Sequence, residues 1–279
     1  MTRSDTIILT FIYPGCEKYI YDFIDSLLHQ TEKDFDVLMV NDGIQISDIP
    51  YIPFKHQIID CSLSISKNRE FGILRAIELG YKHLILSDID DYFYPSRIEK
   101  LLLGLKTYDA VVSDLTIVSS DKRILDENYF QLTHSIPSKL YKEFLDEQNI
   151  CGFSNTAINI KSIPKFSFPD NLKIVDWYFF SILLNQGLSI GFINQSLTYY
   201  RQHGDNLIGI DDFSIDLFKK MLPMKILHYK FMSEYDDRFT YLYNRYSKMI
   251  TSQDSEIERA IKKNKIINNK PLWWENLKI

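Results

Sequence analysis

The 279-residue chain has only three cysteines, Cys16, Cys61 and Cys151, far apart and with no C-x-x-C pair. That spacing argues against a zinc site and a disulfide framework and fits a reducing compartment. No apolar run approaches the roughly 20 residues of a membrane span. The opening segment, "MTRSDTIILTFIYPG", lacks a long hydrophobic leader core and runs straight into a strand. A cytoplasmic protein is the expectation. Excess positive charge is also missing, with a formal net charge of -5. Nucleic acid is therefore excluded as the main partner, because phosphate backbones demand a basic face. Internal repeats and low-complexity segments are absent.

What is present is apolar and aromatic. Hydrophobic residues make up 45% of the chain, enough for one large core or a domain with an appendage. Aromatic content is high, with 18 Tyr and 18 Phe. Most are expected in the core, and a few could line a sugar or base site.

The first half alternates strands and helices. Thr6 to Ile12 is β-branched and apolar, ending at "YPG". Ile20, Phe23, Ile24, Leu27 and Leu28 then recur at helical spacing. "FDVLMV" (35–40) is a second buried strand, stopped by "NDG", and "HQIID" (56–60) a third. Ser66 to Leu79 reads as a helix closed by Gly80. "HLILS" (83–87) is the fourth strand, Pro95 opens a helix to Lys106, and "AVVSDLTIV" (110–118) is the fifth strand. This rhythm implies βαβ units and a mostly parallel α/β sheet, whose ligands bind beyond the carboxyl ends of the strands. The turns "YPG", "NDG" and "SDIDD" should therefore crowd one edge.

The rhythm breaks after about 118. "SSDKR" reads as a hairpin turn, "SNTAINI" (154–160) and "SIGFINQSLTYYR" (189–201) as strands, and Val175 to Gln186 as a helix ending at Gly187. From Asp211 to about Ile250 the pattern is helical and aromatic. The tail from Arg259 carries Arg259, Lys262, Lys263, Lys265, Lys270 and Lys278 against one acid, Glu275.

Asp88, Asp90 and Asp91 stand within four residues after a buried strand. Carboxylates so close repel unless a cation or solvent compensates them. Mg²⁺ or Mn²⁺, which prefers a few carboxylate oxygens plus substrate phosphate oxygens, suits such a cluster. A solvated turn whose Asp residues cap the next helix is the plain alternative.

The order "YPG", "VNDG" (40–43), "SKNREFGI" (66–73) and "LSDIDDYFYPSRI" (86–98) resembles the nucleotide-diphospho-sugar transferase fold of family 2 glycosyltransferases, the GT-A type. Downstream, "VDWYFFSILL" (175–184) resembles the segment bearing that family's catalytic carboxylate, and "YYRQHGDNLIG" (199–209) its Y-R-x-H-x-x-N stretch. The chain departs from the family at Asn41, Glu70 and Val175, where Asp, Asn and Glu are usual. The resemblance covers residues 6 to 209. It implies a catalytic domain over 1–210, with a nucleotide-sugar half to about 118 and an acceptor half from 119. Residues 211–279 are then a helical extension.

The resemblance, joined to the residues' chemistry, implies roles. Thr10, Phe11 and Tyr13 would contact base and ribose. Asp42 would accept the imide N–H of uracil or thymine, and Arg69 would reach base or diphosphate, with Lys67 a second basic candidate. Asp88 would bind ribose or a metal-bound water, and Asp90 would ligate Mn²⁺ or Mg²⁺. Asp91 would orient either one or cap the following helix. His203 would be a further metal ligand or, with Arg201, a diphosphate contact. Asp176 would be the general base, ionised at neutral pH because helix N-terminal N–H groups favour its charge. Trp177 would stack on a sugar or belong to the core.

The reading that follows is an inverting, metal-dependent transferase using a UDP- or dTDP-sugar and a glycan or lipid-linked acceptor in surface polysaccharide or lipopolysaccharide assembly. A sugar-phosphate nucleotidyltransferase would carry a Gly-rich basic loop after its first strand, and "YPGCEK" has one Gly and one Lys. An Asp-nucleophile phosphatase would place its D-x-D after the first strand. A degenerate sugar-binding or scaffold subunit would not keep Asp42, Asp90 and Asp176 together. The extension is expected to pack on the catalytic domain or on a second copy in a homo-oligomer, its basic tail touching the inner face of an anionic membrane.

Overall fold

A computed structural model describes residues 3–133, 136–203, 214–268 and 278. Among the described residues nine strands form one mixed sheet. In chain order they are β1 (Thr6–Ile12), β2 (Asp36–Asn41), β3 (His56–Asp60), β4 (His83–Leu86), β5 (Tyr92–Phe93), β6 (Ala110–Ser119), β7 (Ile124–Asp126), β8 (Thr156–Asn159) and β9 (Ile190–Gln202). The spatial order is β3-β2-β1-β4-β8-β6-β9-β5, with β7 paired to β6. β3, β2, β1 and β4 are parallel, as the alternating rhythm predicts. β8 then inserts antiparallel between β4 and β6. β9 runs parallel to β6, and β5 pairs antiparallel with β9. The far half is thus more mixed than the sequence rhythm suggests.

Helices α1 (Glu17–Leu28), α2 (Ile65–Glu78) and α3 (Arg97–Gly104) cross over between the early strands. α3 starts two residues after Pro95, whose carbonyl accepts the Thr31 N–H at 2.8 Å. A short α4 (Tyr129–Thr133) follows, then α5 (Val175–Asn185), α6 (Ile215–Met232), α7 (Asp237–Lys248) and α8 (Asp254–Asn268).

Strand alternation splits the core into two layers. Ile8 and Ile12 of β1 face Ile20, Phe23, Ile98 and Leu101 of α1 and α3. Ile7, Leu9 and Phe11 face Ile73 and Ala76 of α2, in the layer that also holds α5 and the later helices. Burial on both faces explains the near-continuous apolar runs of β1 and β2.

The later helices continue this second layer. Phe218 and Tyr229 of α6, Phe239 and Tyr246 of α7, and Ile257 and Ile261 of α8 join the cluster around Trp177. The segment from Arg259 therefore begins as a packed helix and not as a free tail. Residues 269–277 lie outside the described residues, as do 204–209 of the "YYRQHGDNLIG" stretch. No helix among the described residues is long and apolar enough to cross a membrane.

Candidate active site

A cavity of about 500 Å³ opens where β1, β2 and β4 end. Seven predicted site residues line it: Phe11, Tyr13, Asp42, Arg69, Asp88, Asp90 and Asp176. Parallel strands ending in register, with α2 and α5 beside them, bring these distant residues together.

Asp42 sits in a turn tied by its neighbour. The Asn41 side chain donates to the Ile44 carbonyl at 2.9 Å and to Asp60 at 2.8 Å, and accepts the Ile44 N–H at 2.9 Å. Gly43 has φ +102°, a backbone state that favours glycine. Asn41 thus builds the turn, and Asp42 faces the cavity with one oxygen accepting the Ser62 hydroxyl at 3.0 Å.

Arg69 is held over the Phe11 ring at 3.9 Å, with Phe153 at 4.9 Å. A Cβ at Gly72 would come within 3.0 Å of Leu9 and Phe11. The missing side chain lets α2 settle onto β1 and lays Arg69, one turn earlier, across the strand end. Its Nη2 donates to Asp88 at 2.9 Å, and its Nη1 is buried without a hydrogen-bond partner among the described residues. Glu70 accepts from Lys67 at 3.0 Å and from the Phe168 N–H, tying α2 to the loop before α5. Lys67 is engaged there and does not line the cavity.

The three clustered carboxylates are unequal. Asp88 and Asp90 face the cavity, whereas Asp91 is 1% exposed. Asp91 accepts the Arg201 N–H at 2.7 Å and the Ser154 hydroxyl, so it anchors the loop and caps no helix. Burial, reinforced by the charges of Asp90 and Asp88, pushes its pKa well above the carboxylate range. Asp88 is pushed up by burial and by Asp90, while Arg69 opposes the shift. Behind the loop, the fully buried Arg97 donates to the Leu86 carbonyl at 2.7 Å and the Ser154 carbonyl at 3.0 Å.

His203 lies beside Asp90, its Nε2 2.9 Å from Asp90 Oδ2. The Asp90 carboxylate is an oxygen donor of the kind that fits Mn²⁺ or Mg²⁺ shared with phosphate oxygens and water, and the imidazole nitrogen beside it suits Mn²⁺ better than the oxygen-seeking Mg²⁺. Among the described residues no group of three or more His, Cys, Asp or Glu side chains could hold a metal ion alone.

Two expectations change, at Arg201 and Thr10, and the open choice at Trp177 is decided. Arg201 is 3% exposed and does not line the cavity. Successive residues of β9 point to opposite sides, so Tyr200 faces the cavity and Arg201 turns behind it. Thr10 is fully buried two residues before the end of β1 and is not a lining residue. Trp177 is fully buried, donates to the Leu145 carbonyl at 2.6 Å and stacks on His228 at 4.0 Å. It belongs to the core and is closed to sugar.

Asp176 opens α5 and takes the Trp177 N–H on Oδ1 at 2.8 Å, while Asn149 Nδ2 stands 3.4 Å from Oδ2. Burial raises its pKa to about 6 against the effect of that N–H, and the charge of Asp88 adds to the rise. The expected helix-terminus effect is thus present but outweighed. With a pKa of about 6 the carboxylate is mostly charged at pH 7.

Phe153, Lys173 and Tyr200 also line the cavity, and none of them has a role in the sequence analysis above. Tyr200 was findable, since strand alternation puts it opposite Tyr199 and Arg201. Phe153 and Lys173 sit in irregular segments with no periodicity to place them.

The glycosyl transferase family 2 model matches residues 6–163, more than half of the chain. The chain belongs to glycosyl transferase family 2. EpsH of Bacillus subtilis (strain 168), which carries a glycosyltransferase name, is 25% identical over 241 residues, covering 81% of this chain and 69% of its own. Crystal structures of S. aureus TarS share the fold. The TarS chain aligns at TM-score 0.58 and 13% identity over 90% of this chain, which spans 44% of its length. TarS 1–349 in complex with UDP aligns at TM-score 0.56 and 12% identity, covering 92% of this chain and 75% of that one. Members of the family are glycosyltransferases, and so is this chain.

Proposed function

We propose that this family 2 member is an inverting, metal-dependent glycosyltransferase that moves a sugar from a UDP- or dTDP-sugar to a hydroxyl of a glycan or lipid-linked acceptor, in surface polysaccharide assembly. The observation that carries the reading is the meeting of Asp42, Arg69, Asp88, Asp90 and Asp176 in one cavity. TarS 1–349 has been solved with UDP and with UDP-GlcNAc, which supports a nucleotide-sugar donor here.

In this reading the base lies against Phe11 and Tyr13, with its imide N–H donating to Asp42. Arg69 offers its unpartnered Nη1 to the diphosphate, and Asp88 holds the ribose. Asp90 and His203 would hold Mn²⁺ or Mg²⁺, which supplies Lewis-acid neutralisation of the leaving nucleoside diphosphate. Asp176 takes the acceptor hydroxyl proton on Oδ2. The acceptor oxygen forms its bond to the anomeric carbon as the bond to phosphate oxygen breaks. A single displacement inverts the configuration.

The deciding experiment is a donor screen of UDP-, dTDP- and GDP-sugars with and without Mn²⁺, with the product anomer assigned by NMR. Turnover that ignores Mn²⁺, or a retained anomer, would overturn the mechanism. Asp42 should favour UDP and dTDP over GDP, because the small pyrimidine ring presents an imide edge to the carboxylate. Calorimetry showing tighter GDP binding would contradict that assignment.

The basic C-terminal segment is proposed to rest on anionic membrane. Ile257 and Ile261 are buried while Lys262 and Lys263 are exposed, so α8 presents its charge outward. Charge reversal of both lysines to Glu should reduce sedimentation with anionic vesicles. Unchanged pelleting would dispose of the membrane contact.

A further inference from the structure

We propose that α1 positions the cation-binding pair through two residues one turn apart, Tyr19 and Asp22. The inference rests on the cation reading of Asp90 and His203 given above. At this spacing the two side chains lie on the same face of the helix. Tyr19 is 5% exposed, and its ring stacks on that of His203 with centroids 5.0 Å apart and planes at 29°. Asp22 accepts from Arg201 Nη2 at 2.7 Å on one oxygen and from Lys122 Nζ on the other.

Arg201 carries the link onward. Its Nε donates to the Asp90 carbonyl at 2.9 Å, and its backbone N–H donates to Asp91 at 2.7 Å. The guanidinium also lies over Tyr19 at 4.8 Å. A buried guanidinium needs a counter-charge. Asp22 supplies it from outside the acidic loop, so Arg201 can grip the Asp90 backbone while the Asp90 side chain faces His203 and the cavity. Burial alone would push Asp22 up, but Lys122 and Arg201 outweigh it and hold the carboxyl below its ordinary range. Without that charge, Arg201 would turn to the Asp90 carboxylate and compete with the cation for it. Asp22 is thus a positioning residue that acts through Arg201.

The test titrates the full chain with Mn²⁺ in the presence of UDP and reads free Mn²⁺ by EPR. Asp22→Asn should weaken Mn²⁺ binding by roughly 10- to 100-fold, as loss of outer-shell partners does, while UDP affinity without Mn²⁺ changes by less than about twofold. Arg201→Lys, which keeps the charge but loses the planar fork, should weaken Mn²⁺ in the same direction and serves if Asp22→Asn fails to fold. Wild-type Mn²⁺ affinity in the folded variants would overturn the positioning role while leaving the cation reading intact. A wild-type chain that binds no Mn²⁺ would remove both.

Discussion

Asp176→Asn should reduce turnover by roughly two to four orders of magnitude, the usual worth of a general base. Asparagine keeps the size of the side chain and can still accept the Trp177 N–H, so donor affinity should be close to that of the wild type. Wild-type turnover should fall as pH drops through about 6, because burial raises the Asp176 pKa to that value and only the charged form can take a proton. Above that pH this acid limb should be flat. In Asp176→Asn the limb should vanish along with the rate. Single-turnover kinetics on both proteins across pH 5 to 8 check this. Near-normal turnover in the variant, or a rate that rises on acidification, would assign the proton to another group.

Asp90→Ala should abolish measurable transfer and remove the Mn²⁺ dependence of donor binding. The substitution takes away the carboxylate that faces both the cavity and His203. It leaves the Asp90 carbonyl in place for Arg201, so the loop backbone keeps its anchor. Asp91→Asn should behave differently. Its side chain is buried against Ser154 and the Arg201 N–H, so its loss should appear first in thermal stability and less in cation affinity. Calorimetric titration of UDP with and without Mn²⁺ separates the two. Equal transfer by Asp90→Ala and wild type would end the metal reading.

The N-terminal half was legible because its signals are local. β1, β2 and β4 are short apolar runs stopped by polar turns, and each stop carries a cavity residue, so strand direction alone gathers Tyr13, Asp42 and Asp88 at one edge. Asp176 was legible only through the resemblance, since nothing in "VDWYFF" says which cavity its helix faces. The insertion of β8 between β4 and β6 was not legible. Its pairing depends on contacts between residues more than 40 positions apart, such as Val111 with Ala157. Arg201 and Trp177 carry the same lesson. Both stand in motif stretches, yet side-chain direction is set by strand parity in one and by helix packing in the other.

α5 is buried nearly all round, from Trp177 through Leu184. A helix apolar on every side needs cover on every side. Part of that cover comes from α6 and α7, where His228 and Tyr229 close over the indole of Trp177, the residue next to Asp176, and Phe239 packs behind them. A shortened version ending near 210, where the sequence motifs stop, would open this seam to water directly behind the proposed base. Recombinant fragments trimmed to the recognisable domain should consequently be poor reagents. Core substitutions within α6 and α7 are expected to reach the proposed base through Trp177 without touching the cavity.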